Sequence, residues 1–329
     1  MKTKIFIWCS DINQYTGEGI LANKFINDLK KYNKNYKFLI KKISNRKILY
    51  LRKIFGDITD RVILPISGII YLWFLFIFKR NKKICYVNYL PLWNFLLFLF
   101  LPPKTILGPI TGGSLFLKKP YFNFFLRKYF LNFFYLLSKI ILKIRNKKLL
   151  FSTDLLKKKF TNNQNYYFSY VLKDLKINKK INKKKYDLIF YLRNHKNKNT
   201  DLQIRLAKKL ATKFKIITVG KKIYKKNIKN FGFITRFKLL NVLKKTKYAF
   251  ISSENLYSFF TIDCVKSKTN IFFNKNNKYK SKLLKGLIYL NYNDYLTLTK
   301  KIEKEIKKNY HFKIKNFKNE IKFENYFKL

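Results

Sequence analysis

Tyr248-Ala249-Phe250-Ile251-Ser252-Ser253-Glu254-Asn255 is the stretch from which the fold of this 329-residue chain can be read. Four apolar residues run into hydroxyls, a carboxylate and an amide, and the chain then continues through Phe260, Asp263 and Cys264. This pattern predicts a buried strand, a turn carrying Glu254 and a helix start carrying Asp263. Carboxylates are scarce, 16 against 73 Lys and Arg, so two of them after one strand stand out. Earlier in the chain a second apolar run, Asp187-Leu188-Ile189-Phe190-Tyr191-Leu192-Arg193, leads into Asn194-His195-Lys196-Asn197-Lys198. In an open α/β sheet, ligands bind beyond the carboxyl ends of the strands, so both runs are expected to offer their polar ends to one crevice. One end is cationic and the other carries carboxylates.

Working outward, the second half alternates. Strands are expected at 187–192, 215–219, 248–252 and 270–273. Leu202, Leu206, Leu210 and Phe214 give one intervening helix an apolar face, and Thr235 can cap another that carries Leu239, Leu240 and Leu243. Alternating βα units of this size predict a parallel, doubly wound sheet. The Asn- and Lys-rich stretch 162–185 has the composition of a crossover, which divides the chain into domains of 1–175 and 176–329, the last helix being free to cross back.

The first half opens the same way. Lys4 to Cys9 reads as a strand, and Gly17-Glu18-Gly19 opens a helix with Leu21, Phe25 and Leu29 on its apolar side. Glycines between a first strand and a first helix allow a ligand or another backbone to come close, but a lone Gly-x-Gly is equally a tight turn. A second strand is expected at 36–43 and a last one at 149–153. The strand at 104–110 ends in Gly108-Pro109-Ile110-Thr111-Gly112-Gly113, again suited to a turn or to a close approach. Val62 to Phe78 and Ile84 to Pro103 contain no charge. Asn88, Pro91 and Asn94 interrupt the second run and favour a buried strand followed by a helix. Core or membrane-surface segments and true spans both stay open for these runs. Residues 121–144 form an aromatic and basic helix, with Phe122, Phe125, Tyr129, Phe133 and Leu136 among Arg127, Lys128 and Lys139. It suits a membrane interface or an ordinary packed position.

The net charge of +57 would ordinarily suggest nucleic acid or an anionic membrane surface. Only nine of the basic residues are Arg, and the abundant Lys, Asn, Ile, Phe and Tyr all have AT-rich codons, so codon bias accounts for much of the excess. The aromatic residues sit inside apolar runs and not on a polar strand face, so stacking platforms for single strands are not visible. No specific nucleic-acid partner is expected, although a basic nucleic-acid binder stays as an alternative, as does an integral membrane protein with two apolar spans. Cys9, Cys85 and Cys264 lie apart within apolar runs, without metal spacing, which predicts buried thiols in a reducing compartment. No signal peptide is apparent at the start.

In its order of motifs the chain resembles the GT-B glycosyltransferases, specifically the retaining group 1 or family 4 enzymes. Arg193 and Lys198 have the spacing of the family's pair that holds the donor's diphosphate, and Ser252-Ser253-Glu254-Asn255 is similar to the start of its Glu-x7-Glu motif. Asp263 stands nine positions after Glu254, where the motif has a Glu at eight. The resemblance implies two Rossmann-like, doubly wound α/β domains facing across a cleft. It implies Glu254 as the catalytic carboxylate beside the transferred sugar, and Arg193, Lys198, Ser253, Asn255 and Asp263 as donor-binding residues, Asp263 accepting from ribose. Gly17 and Gly19 are similar to the family's glycine loop, and Thr111, Gly112 and Gly113 belong to a matching cleft loop. The implied activity is sugar transfer from a nucleotide-sugar co-substrate to a lipid-linked, lipopolysaccharide or polysaccharide acceptor, with retention. It would act as a peripheral protein on the cytoplasmic face of an anionic membrane. No cofactor is implied, and with no Asp-x-Asp in the sequence no metal is expected either. His195 has no matching Asp or Ser pattern and reads as a supporting or surface residue.

Overall fold

The computed structural model describes the chain except residues 1–2, 13–15, 57, 80–81, 113–120, 161–162, 174, 176, 178–182, 194–198, 253–257, 277–283 and 317–321, and except the side chains of 45, 121–128 and 316. Two compact units result. One holds Met1–Gly113, Lys118–Lys173 and Glu320–Leu329, and the other holds Asp174–Asn319.

The first unit begins with β1 (Lys4–Trp8), α1 (Gly17–Tyr32), β2 (Lys37–Lys41), α2 (Asn45–Phe55), α3 (Leu64–Phe78) and β3 (Lys83–Tyr86). It continues with β4 (Leu90–Pro91), α4 (Phe95–Phe100), β5 (Ile106–Leu107), β6 (Ile110–Thr111), α5 (Tyr121–Arg145), β7 (Leu149–Leu150) and β8 (Tyr166–Tyr167). The main sheet runs β2-β1-β3-β5 and is parallel, with Phe6 opposite both Leu39 and Ile84, and Cys85 opposite Ile106. Ile5, Ile7 and Cys85 are fully buried, as expected of strands covered on both faces. All three cysteines are free and buried, and burial pushes the Cys9 thiol up.

The two uncharged runs differ in outcome. Ile84 to Pro103 is divided among β3, β4 and the six-residue α4, so no span exists there; Asn94 caps α4 by accepting from the Leu97 amide at 3.2 Å. The other run forms α3, continuous with a π-helical turn at Thr59–Ile63, and Thr59–Phe78 has the length and mean hydropathy (2.1) that a span needs. Yet Leu64, Pro65, Gly68, Leu72 and Leu75 are buried on one side of α3, which packs on β1 and β3. A Cβ built on Gly68 would lie 2.4 Å from Trp8 Nε1 and 2.8 Å from a Tyr86 ring carbon. One side of α3 is thus fixed to the sheet, and the other is left exposed.

The second unit comprises β9 (Tyr186–Leu192), α6 (Thr200–Leu210), β10 (Ile216–Gly220), β11 (Ile228–Asn230), α7 (Arg236–Lys244) and β12 (Thr246–Phe250). After these come α8 (Phe259–Lys266), β13 (Asn270–Asn274), β14 (Leu284–Lys285), β15 (Ile288–Leu290), α9 (Tyr295–Lys307) and β16 (Lys315–Asn316). The sheet order is β11-β10-β9-β12-β13-β15, every neighbour parallel, and β14 and β16 form a separate antiparallel pair. Strand order therefore descends on one side of β9 and ascends on the other, as in a doubly wound dinucleotide-binding sheet, and reverses between β9 and β12. The helices form for local reasons. Thr235 accepts from the Lys238 amide at 3.4 Å to start α7, Ser258 from Thr261 at 3.2 Å to start α8, and Asp294 from Thr297 at 3.1 Å to start α9. The chain ends in α10 (Glu324–Phe327), which returns to the first unit: Phe327 packs on Phe25, and its carbonyl accepts from Asn33 Nδ2 at 2.6 Å.

Candidate functional site

The reversal point of the second sheet is where side chains can gather, because adjacent strands there send their connections to opposite faces and leave a gap beyond their carboxyl ends. β9 and β12 are paired from Tyr186 with Thr246 to Phe190 with Phe250. Arg193 and Ser252 therefore follow neighbouring strands at the same edge of the sheet. Tyr191 from β9 stacks on Phe260 from the first turn of α8, with centroids 5.1 Å apart, and the Arg193 guanidinium lies 5.0 Å over the Tyr191 ring. Thr200 donates its hydroxyl to the Arg193 carbonyl at 2.6 Å, which brings the start of α6 back beside Arg193. A helix N-terminus next to a guanidinium is a favourable setting for an anion.

The floor of this edge is built by residues that the sequence did not single out. Tyr292 is buried and donates to the carbonyls of Ile251 and Phe272, both at 2.9 Å, fixing the exit of β12 relative to β13. Gly220 ends β10 with φ +95, and a Cβ there would lie 2.0 Å from the Leu192 carbonyl oxygen. Only glycine lets β10 pass so close to the residue before Arg193. Its sole signal in the sequence is a glycine closing the run Ile216-Ile217-Thr218-Val219.

Asp263 is 1% exposed on α8, and Arg236 from the start of α7 occupies both its oxygens, Nε at 2.8 Å and Nη2 at 2.6 Å. Burial raises the Asp263 carboxyl above its ordinary range, and the guanidinium opposes the shift. The Arg236 side chain keeps 30% of its surface exposed and lies 5.0 Å over the Phe259 ring. The sequence expectation had Asp263 open to ribose hydroxyls; the structure gives it a guanidinium partner, and Arg236 is the outward-facing member of the pair. Arg is rare in this Lys-rich chain, and that rarity is the signal through which Arg236 could have been noticed. Lys198, Ser253, Glu254, Asn255 and His195 lie outside the described residues.

In the first unit the sheet order turns at β1 and β3, and their exits are tied together. Asn88, just past β3, accepts from the Asp11 amide at 3.1 Å and from the Cys9 thiol at 2.7 Å, and its Nδ2 donates to the Asp11 carbonyl at 3.0 Å. Thr16 donates to Asp11 Oδ2 at 2.8 Å and accepts from the Gly19 amide at 2.9 Å, so it caps α1 and holds Asp11 at the helix start. Gly17 and Gly19 thus form the first turn of α1, Gly19 buried and Gly17 exposed. Glu18 between them is half-buried, and its carboxyl is raised to about 7, first by burial and then by the negative charge of Asp11. Thr111 closes β6, and Gly112 follows with φ +141, its notional Cβ 3.4 Å from Leu92 Cβ, so glycine is required there by backbone conformation. Gly113 lies outside the described residues.

No family model matches the chain, and no characterised protein matches it in sequence. Solved structures do match it. HepE from Anabaena, solved in complex with UDP and glucose, is similar over 93% of this chain and 90% of its own, with a TM-score of 0.52 at 9% identity. A glycosyltransferase from Rickettsia africae is similar over 92% of this chain and 88% of its own, with a TM-score of 0.52 at 13% identity. With its parallel Rossmann-like sheets, this chain has the GT-B fold.

Proposed function

We propose that the protein is a glycosyltransferase that moves a sugar from a nucleotide-sugar donor to a lipid-linked, lipopolysaccharide or polysaccharide acceptor. The observation that carries this reading is the meeting, at the strand-order reversal of the second unit, of Arg193, the start of α6 and the exit of β12. The fold supports it, and HepE, which shares that fold, was solved with UDP and glucose.

In this reading the donor's diphosphate is gripped by Arg193, with Lys198 as a second positive charge. A planar guanidinium bonds two phosphate oxygens while an ammonium supplies a point charge. As the sugar's C1–O bond to phosphate breaks, charge accumulates on the departing diphosphate, and fixed cations there take the part of a metal; losing one such donor typically costs about 100-fold in rate. Glu254 faces the sugar and its developing positive charge, with Ser253 and Asn255 beside it. Asp263 serves donor binding by holding Arg236, whose exposed edge meets the nucleotide. Gly17, Gly19, Thr111, Gly112 and Gly113 serve the acceptor side. Transfer proceeds with retention and without metal, by a protein held at the cytoplasmic face of the membrane.

The test is binding of UDP, GDP and ADP to the full chain by calorimetry. Saturable binding of at least one is expected, with an affinity at least tenfold lower in Arg193→Ala and unaffected by EDTA. Equal affinity in that variant would overturn the donor assignment.

A further inference from the structure

The first unit carries an apolar surface of unusual extent. Among the described residues, most of the exposed large hydrophobic side chains lie between Leu49 and Ile144. On α3, Ile66, Ile70, Trp73 and Ile77 recur at helical spacing on the side opposite the sheet, Ile70 being 64% exposed. On α5, Tyr129, Phe133, Leu136, Ile140 and Ile144 follow at intervals of four, three, four and four, again one stripe. Between them α4 exposes Leu96, Leu99 and Phe100. These helices are neighbours: α4 packs on both α3 and α5, Trp73 Nε1 donates to the Phe100 carbonyl at 2.7 Å, and Phe95 stacks on Phe134 at 5.5 Å. The 15 residues of α3 span about 22 Å and the 25 of α5 about 37 Å. Soluble monomers rarely expose contiguous apolar patches above a few hundred Å².

Charge identifies what covers this face. From Arg61 to Leu150 the sequence contains no Asp or Glu, while Lys79, Lys143 and Lys147 are exposed along the same elements, and Arg46, Lys47 and Lys53 on α2. A second copy meeting the patch in a two-fold contact would set cation against cation, the one acid described beside it, Asp60, being already paired with Arg52 at 2.9 Å. An anionic bilayer answers both features, apolar chains below and negative headgroups around the rim. Because the opposite side of α3 is fixed to β1 and β3, the helices can enter only lying flat.

We infer that α3, α4 and α5 form a three-helix platform that seats the first unit in the plane of an anionic lipid surface, with apolar stripes in the acyl boundary and lysines among the headgroups. This gives the membrane placement proposed above a defined surface and rests on that placement, not on the donor chemistry.

The test uses the full chain and two kinds of vesicle, phosphatidylcholine alone and phosphatidylcholine with a quarter phosphatidylglycerol. Partition onto the anionic vesicles is expected to be at least about tenfold stronger at 0.1 M salt and to persist in part at 0.5 M, where charge attraction is screened but apolar burial is not. The variant Ile70→Glu/Phe133→Glu is expected to lose at least about tenfold in partition while keeping its melting transition and its UDP affinity. With the part-buried Trp93 replaced by Phe, Trp73 emission should be quenched by spin-labelled acyl chains while buried Trp8 is spared. Absence of binding to anionic vesicles, equal partition of the variant, or a lipid-free dimer that the variant abolishes would each overturn the inference. UDP affinity reads the donor site separately, so the two readings fail independently.

Discussion

Replacing Arg236 with Ala leaves Asp263 buried without its partner. The Asp263 side chain is 2% exposed and that of Arg236 30%, so the pair is sealed on the acid's side and open on the base's. Breaking a fully buried pair costs about 3–5 kcal/mol, and the partial exposure of the guanidinium brings the expectation down to about 2–3 kcal/mol. The effect has a pH signature. In Arg236→Ala the carboxyl keeps the burial that raises it and loses the guanidinium that lowers it, so it rises further. A carboxyl raised in the folded state favours folding fully below its unfolded value, and that contribution disappears as pH rises through the folded one. The variant should therefore recover stability toward acid pH relative to the parent. Urea unfolding from pH 5 to 8 measures both effects. The isosteric double replacement Arg236→Met/Asp263→Leu should restore most of the loss, since a packed apolar pair of similar volume often equals a buried ion pair. A loss below about 0.5 kcal/mol in Arg236→Ala, or single-variant effects that add without coupling, would refute the pairing.

Two further outcomes can be stated. Gly220→Ala puts a methyl against the Leu192 carbonyl at a φ that alanine disfavours, and should cost more than about 2 kcal/mol while weakening nucleotide binding at Arg193; an unchanged urea midpoint would show that β9 and β10 do not approach as described. Glu18, raised to about 7, contributes stability that is fully present below the ordinary carboxylate range and lost as pH rises through about 7. Allowing for its residual solvent contact this amounts to about 1–2 kcal/mol, so Glu18→Gln should flatten the fall in melting temperature between pH 5 and 8, and parallel curves would rule the shift out.

The second unit was legible from sequence because parallel strands covered on both faces must be apolar throughout, and Asp187–Leu192 and Tyr248–Ser252 read as such runs. Even there the ladder is displaced: β12 begins at Thr246, which pairs with Tyr186, and ends at Phe250, so Ile251 and Ser252 lie past it. β11 and β15 were not anticipated, since Ile228-Lys229-Asn230 and Ile288-Tyr289-Leu290 are too short to show a period. In the first unit the strand expected at 104–110 is two short pieces, interrupted where Gly108 meets the Val87 backbone, its notional Cβ 2.9 Å from Val87 Cα.

By itself, then, the sequence determined the α/β alternation, the helix caps and the residues at the strand exits, because these depend on local periodicity and on side chains reaching their own backbone. Only the tertiary structure decided that β9 and β12 are neighbours, that Arg236 belongs to Asp263, and that α3 lies on its sheet with an apolar side left over. Those outcomes depend on which surfaces meet across long stretches of chain, and a side chain carries no local mark of the distant partner that will bury it.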